Sequence, residues 1–330
     1  MYFKTKKGGK QMLLSVFLIV VGFVFLIKGA DFLVEGSSNI AKKFHIPEII
    51  IGLTIVSIGT SMPELFVSTT SSINGYSDMS IGNIIGSNLC NLLLILGLSA
   101  MIRPIKFQRE TRLIEMPMCL VITIIFMIFC NTSGTIQKSE AIILIILFIM
   151  FIIYTIIMGK KGEQFDKDRA IVEIQIENKP ISMIKSIIFI ILGIIGLKIG
   201  GDLTVENSLV IARQFNVSEK VIGLTILAIG TSLPELVTSV TAAIKGNSDI
   251  AIGNIIGSNI FNILFIIGVS ALISPLAYNF TYNIQMAILI IAMLVLALFP
   301  VIPPKNEMSR FNGVIYLMLY LIYMIILFIV

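Results

Sequence analysis

The sequence predicts an all-α polytopic membrane protein of ten transmembrane helices, arranged as two inverted five-helix repeats. Composition, apolar run length and a self-alignment at one fixed offset carry that expectation. Of 330 residues, 56% are hydrophobic and 13% charged, whereas a water-facing domain carries roughly 25% charged residues. Most of the surface therefore faces lipid. Apolar runs of about 20 residues, the length a helix needs to cross the hydrocarbon core, recur throughout. The short alternating segments of a transmembrane β-barrel are not seen.

The third observation is internal duplication. Shifted by 171 residues, the chain matches itself without a gap from about residue 17 to Pro104, pairing Gly22 with Gly193, Asp31 with Asp202 and Glu35 with Glu206. Between Gly52 and Ala100, 31 of 49 positions are identical, too many for chance. The spanning segments read as 12–35, 48–73, 79–101, 112–131 and 138–158, then 183–207, 219–244, 250–273, 283–303 and 312–330. Five is odd, so the second copy enters the membrane from the opposite face. Inverted repeats of this kind place substrate sites near the bilayer midplane, at the repeat interface. The expected organisation is a first repeat over 1–158, a cytoplasmic linker over 159–182 and a second repeat over 183–330.

Loop charges set the orientation. Fifteen Lys and Arg fall in loops on one side and seven on the other. The positive-inside rule then puts the linker in the cytoplasm and both termini outside a plasma membrane, against the pull of the basic tail Lys4, Lys6, Lys7 and Lys10. That tail and the apolar run from Met12 to Ile27 look like a signal peptide, but the segment recurs in the repeat and is expected to be a retained helix. Cys90, Cys119 and Cys130 all lie in apolar runs and form neither a disulfide framework nor a metal spacing. His45, the lone histidine, excludes sites needing two imidazoles. The modest net charge of +5 gives no nucleic-acid signal.

The chemistry concentrates in two motif pairs. In the second span of each half, Gly52–Glu64 ends in GTSMPE and Gly223–Glu235 in GTSLPE. A carboxylate this deep costs at least about 2.5–3.5 kcal/mol even on insertion scales. No lysine is an obvious partner, since Lys28 and Lys198 can snorkel to the interface. Pro63 and Pro234 lack the N–H that would satisfy the carbonyls of Gly59 and Gly230. Freed carbonyls and hydroxyls are hard oxygen ligands, suited to Ca²⁺ and Na⁺. The third spans carry Gly82-Asn-Ile-Ile-Gly-Ser-Asn through Asn91 and its copy from Gly253 through Asn262. Ser87 shares a helix face with Asn91, and Ser258 with Asn262, by their i, i+4 spacing. The glycines there read as close-packing positions, and Asn83, Asn88, Asn254 and Asn259 as ties between broken helices. Asp78 and Asp249 read as helix N-caps. Asp31, Glu35, Asp202 and Glu206 read as span ends, and Glu115 as an interfacial residue beside Arg112.

At these motifs the sequence resembles the sodium/calcium exchanger family of the cation/calcium exchanger group, in its prokaryotic form without a large insertion at 159–182. The resemblance implies a secondary active antiporter, not an enzyme, exchanging Na⁺ for Ca²⁺ by alternating access, with three sodium per calcium. It implies that the first and sixth helices slide against a core of helices two, three, seven and eight. Carried over by position, Glu64, Glu235, Thr60 and Thr231 would hold Ca²⁺. Na⁺ would be held by those glutamates, by Ser87 and Ser258, and by the carbonyls of Ser57 and Ala228, while Asn91 and Asn262 would complete the site. Some family members, the potassium-dependent branch among them, have aspartate where this chain has Asn262. The alternatives are H⁺/Ca²⁺ or K⁺-dependent exchange, or a transport-inactive cation sensor or channel. Beyond the transported Ca²⁺ and Na⁺ and the lipid bilayer, no cofactor, nucleic acid or obligatory protein partner is expected.

Overall fold

The computed structural model describes residues 2–169, 182–215, 228–301 and 305–329. They form helices α1 (Tyr2–Phe44), α2 (Glu48–Thr60), α3 (Met62–Ile73), α4 (Ser77–Ile102), α5 (Thr111–Ser133) and α6 (Lys138–Arg169), followed after residue 181 by α7 (Met183–Gln214). The second half continues with α8 (Ala228–Thr231), α9 (Leu233–Lys245), α10 (Ser248–Ile273), α11 (Asn283–Leu298) and α12 (Arg310–Ile329). Among the described residues, seven helices are each long and apolar enough to cross a membrane, or eight if the bent pair α2–α3 is one span. The expected span 219–244 lies partly outside the described residues. The chain is therefore a helical, polytopic, integral membrane protein.

Burial ranks the helices. The apolar windows of α4 and α10 are 78% and 83% buried, against 22% for α1 and α6. The two Asn-rich motifs thus occupy the innermost helices, while α1 and α6 turn faces such as Leu13, Phe17, Ile142 and Ile149 to lipid. Backbone-to-backbone packing brings the core helices together. A Cβ at Gly253 would meet the Ile49 carbonyl at 2.7 Å, and one at Gly257 would meet the Leu53 carbonyl at 2.6 Å. Only glycine allows that approach, so α10 lies directly against α2. A second glycine seam, Gly22 and Gly29 against Gly193 and Gly200, joins α1 to α7.

Two short strand pairs tie the halves together. Ile105–Lys106 (β1) pairs antiparallel with Glu307–Met308 (β4), and Thr135–Ile136 (β2) with Leu276–Ala277 (β3).

Several elements differ from expectation. Helices α1 and α7 run past residues 35 and 207 to Phe44 and Gln214. Nothing breaks α1 before His45, whose φ is +53°, and Pro47. Asp31, Glu35, Asp202 and Glu206 therefore sit within helices rather than at their ends. Asp78 and Asp249 lie in first turns whose caps are Tyr76 and Asn247; Asp249 instead accepts from Gln108. Glu115 is fully buried and accepts from the Tyr154 hydroxyl at 2.7 Å, so it ties α5 to α6 rather than facing Arg112.

Candidate cation site

The helix break expected from Pro63 is present. Helix α2 passes through a π-helical stretch at Gly52–Val56 and stops at Thr60; Ser61 leaves helical geometry at ψ +12°, and α3 departs at a 50° bend. Ser232 does the same between α8 and α9, at ψ +6°. Each glutamate sits in the first turn after its break, where unpaired backbone N–H groups favour negative charge.

The two breaks hold one another. Ser61 Oγ donates to Glu235 Oε1 at 2.7 Å, and Ser232 Oγ to Glu64 Oε1 at 3.4 Å. Ser87 Oγ also donates to Glu64 Oε1, at 3.2 Å, and lies 2.9 Å from Ser232 Oγ. Both carboxylates are fully buried, and among the described residues Glu64 Oε2 and Glu235 Oε2 have no hydrogen-bond partner. Neither carboxylate makes an ion pair with those residues. Ser258 Oγ, Asn91 Oδ1 and Asn262 Oδ1, on α10 and α4, are among the other buried oxygens without a partner in the described residues.

Around this centre the amides form reciprocal ties. Thr60 Oγ1 donates to Asn254 Oδ1 at 3.0 Å and Thr231 Oγ1 to Asn83 Oδ1 at 3.4 Å. Asn83 Nδ2 reaches Ser68 Oγ at 3.0 Å, and Asn254 Nδ2 reaches Ser239 Oγ at 2.9 Å. Between α4 and α10, Asn91 Nδ2 donates to Asn259 Oδ1 at 3.1 Å and Asn262 Nδ2 to Asn88 Oδ1 at 2.9 Å. Spending the amide N–H groups on partners leaves Oδ1 of Asn91 and of Asn262 as acceptors. Asn83, Asn88, Asn254 and Asn259 thus tie helices together, as their positions suggest.

The sequence-predicted residues fall into three groups. Glu64, Glu235 and Ser87 meet at the junction of the two breaks, while Ser258, Asn91 and Asn262 carry buried oxygens on α10 and α4. Thr60 and Thr231 sit at the breaks with their hydroxyls engaged. Of the two expected backbone ligands, the Ser57 carbonyl already accepts from Ser61 N–H at 3.0 Å and Thr60 Oγ1 at 3.3 Å; Ala228 is the first described residue of α8, and its side chain lies outside the described set. No group of three or more His, Cys, Asp or Glu clusters among the described residues. What assembles is two carboxylates among neutral oxygens, a donor set that suits hard cations rather than zinc or iron.

The sodium/calcium exchanger protein family model matches residues 14–157 and 185–329. The chain belongs to this family. It is 32% identical to the sodium/calcium exchanger MaX1 of Methanosarcina acetivorans over 94% of this chain and 97% of that one. To the inner membrane protein YrbG of Escherichia coli it is 37% identical over 85% and 88%. Its fold is similar to that of the sodium-calcium exchanger NCX_Mj, with a TM-score of 0.80 at 35% identity, covering 94% of this chain and 97% of that structure. The family is one of cation/calcium antiporters that transport Na⁺ and Ca²⁺, not of enzymes.

Within this exchanger, sequence reasoning missed Ser61 and Ser232. Each contacts the opposite glutamate, and the signal was available: both stand inside the repeated GTS-x-PE motif, at the residue where a proline-terminated turn leaves the helix.

Proposed function

We propose that this protein is a Na⁺/Ca²⁺ antiporter that binds its ions at the Glu64–Glu235 centre and exposes them alternately to the two membrane faces. The observation that carries this reading is the pair of buried, unpartnered carboxylate oxygens at the two linked breaks, with Ser258 Oγ, Asn91 Oδ1 and Asn262 Oδ1 likewise buried and unpartnered on α10 and α4. Leaving an ionised carboxylate dry and unpaired costs several kcal/mol, so the arrangement calls for a cation. Two carboxylates balance one Ca²⁺; Na⁺ competing for the same oxygens gives exchange an electrostatic basis. Glu64, Glu235, Thr60 and Thr231 form the Ca²⁺ site in this reading; Na⁺ is held by the same glutamates, by Ser87 and Ser258 and by the Ser57 and Ala228 carbonyls, and Asn91 and Asn262 complete the centre.

The architecture we infer is ten spans in two inverted repeats, 1–158 and 183–330, joined by a cytoplasmic linker at 159–182 in a plasma-membrane protein. The 171-residue offset supports it: the ties Ser61–Glu235 and Ser232–Glu64 are counterparts under that shift, as are Thr60–Asn254 and Thr231–Asn83. The strands support it too. β1 and β3 are 171 residues apart, and each pairs with a strand from the other half. Asn262, neutral where the potassium-dependent branch has aspartate, argues against a K⁺ requirement.

Reconstituted protein is expected to take up ⁴⁵Ca²⁺ against an outward Na⁺ gradient, without K⁺ and with the pH gradient collapsed. Uptake that follows the pH gradient and ignores Na⁺ would replace this reading with H⁺/Ca²⁺ exchange. Saturable Ca²⁺ binding without flux would replace it with a sensor.

A further inference from the structure

A cavity of about 180 Å³ opens beside the site. Pro63, Thr231 and Pro234 from the two breaks line it, as do Lys198, Asp202 and Glu206 from α7. It therefore joins the edge of the buried centre to two acids on a helix whose residues 198–206 are partly exposed. Lys198 Nζ lies 2.8 Å from Asp202 Oδ2 and 5.8 Å from the centroid of the Phe66 ring, a residue that also lines the cavity. The lysine and aspartate side chains are 54% and 55% exposed, so the ammonium is held at the cavity rim without being buried.

The 171-residue shift shows that this cation is not part of the repeat. Asp202 and Glu206 correspond to Asp31 and Glu35, but Lys198 corresponds to Ile27. On the other half Asp31 is met by Lys245, from the end of α9, at 2.9 Å; Lys245 in turn corresponds to Asn74. In each half the aspartate meets a lysine, drawn from a different element.

We propose that Lys198 is a specificity-determining residue at the ion mouth, one that weakens access of divalent cations more than of monovalent ones. The inference rests on the antiport reading above. Asp202 and Glu206 concentrate cations at the cavity, and the Lys198 ammonium offsets part of that field. A fixed potential acts on an ion in proportion to its charge. If neutralising Lys198 raises local Na⁺ by a factor f, it raises local Ca²⁺ by f squared. For one charge about 8 Å from an arriving ion in a water-like dielectric, f is about 2.4 and f squared about 6.

Flux in oriented proteoliposomes tests this, with ions presented to one face at a time. Lys198→Gln should lower the KM for Ca²⁺ about sixfold and that for Na⁺ about 2.4-fold, with kcat retained. The shift should appear only from the face toward which α7 runs, and should shrink as ionic strength rises. Asp202→Asn should move both constants the opposite way, and Lys198→Arg, which keeps the charge, should behave as wild type. An unchanged Ca²⁺ KM in Lys198→Gln, an equal shift for both ions, or the same shift from both faces overturns the inference while the wild type still exchanges. Wild-type protein without Na⁺-driven Ca²⁺ flux would instead overturn the antiport reading itself.

Discussion

The centre of this exchanger and its flanks obey different rules. At the centre, residues 171 apart make the same contacts: serine to opposite glutamate, threonine to opposite asparagine, asparagine to asparagine. On α1 and α7 the acids repeat but their cationic partners do not. The difference follows from burial. A tied polar group in the dry centre has no water to replace its partner, so changing one member strands another, and the pairings persist as a set. A half-exposed lysine is solvated whether or not its acid is there, so the flanks are free to diverge.

The strongest way to break the comparison is to remove a central charge. Glu64→Gln and Glu235→Gln should each reduce Na⁺-driven Ca²⁺ flux by about 100-fold or more, the scale of the 3–5 kcal/mol lost when one member of a buried charge set is removed. Both variants should still insert and remain monodisperse in detergent. Near-wild-type flux from either would remove that glutamate from the site. Equal losses would support equivalence of the two halves at the ion.

Next in size comes the packing that presents the centre. Gly257→Ala places a methyl 2.6 Å from the Leu53 carbonyl and 2.7 Å from Ser57 Oγ. Overpacking of this kind costs about 1–3 kcal/mol, and it falls on α2 just ahead of the break. A lower melting temperature in detergent should accompany weaker Ca²⁺ binding. A loss of stability with unchanged affinity would separate the α2–α10 seam from the site.

Much of the centre is legible in the amino-acid order alone. The duplicated acid, the proline that frees a carbonyl and the i, i+4 spacing of Ser87 with Asn91 are local facts of sequence, and a membrane leaves few alternatives for them. Ser61 and Ser232 stand in the same motif, but their partners are not legible in that way, because each acts on the other repeat across a contact that no local spacing encodes. The burial of Glu115 is hidden for the same reason: Tyr154 is 39 residues away on another helix. The full length of α1 escapes a reading of apolar runs because hydrophobicity marks where a helix leaves lipid, whereas only His45 and Pro47 mark where its backbone stops.

The serines offer a finer probe, since one shared motif places them at unequal distances. Ser61 Oγ is 2.7 Å from Glu235, whereas Ser232 Oγ is 3.4 Å from Glu64, which Ser87 also serves. A hydrogen bond to a charged group contributes about 1.5–3 kcal/mol. Ser61→Ala should therefore weaken apparent Ca²⁺ affinity by about tenfold or more, and Ser232→Ala by less, because Ser87 remains on the same oxygen. Isothermal titration of both variants checks the order, and a larger effect at Ser232 would reverse the assigned asymmetry.

The smallest effect belongs to the flank. Lys245 Nζ meets Asp31 Oδ1 at 2.9 Å and the Asp31 carbonyl at 3.2 Å, with both side chains about a third exposed. An ion pair in that setting contributes about 0.2–1 kcal/mol. A double-mutant cycle of Asp31→Asn and Lys245→Gln on thermal stability should return a coupling in that range, lowered by added salt. The carbonyl contact makes the cycle informative, because Asp31→Asn keeps it and Lys245→Gln does not; Lys245→Gln should be the costlier single change. Coupling well above 1 kcal/mol would mean that this pair is held as the centre is, by partners that cannot re-solvate. The contrast between a constrained centre and divergent flanks would then fail at the point where α1 meets α9.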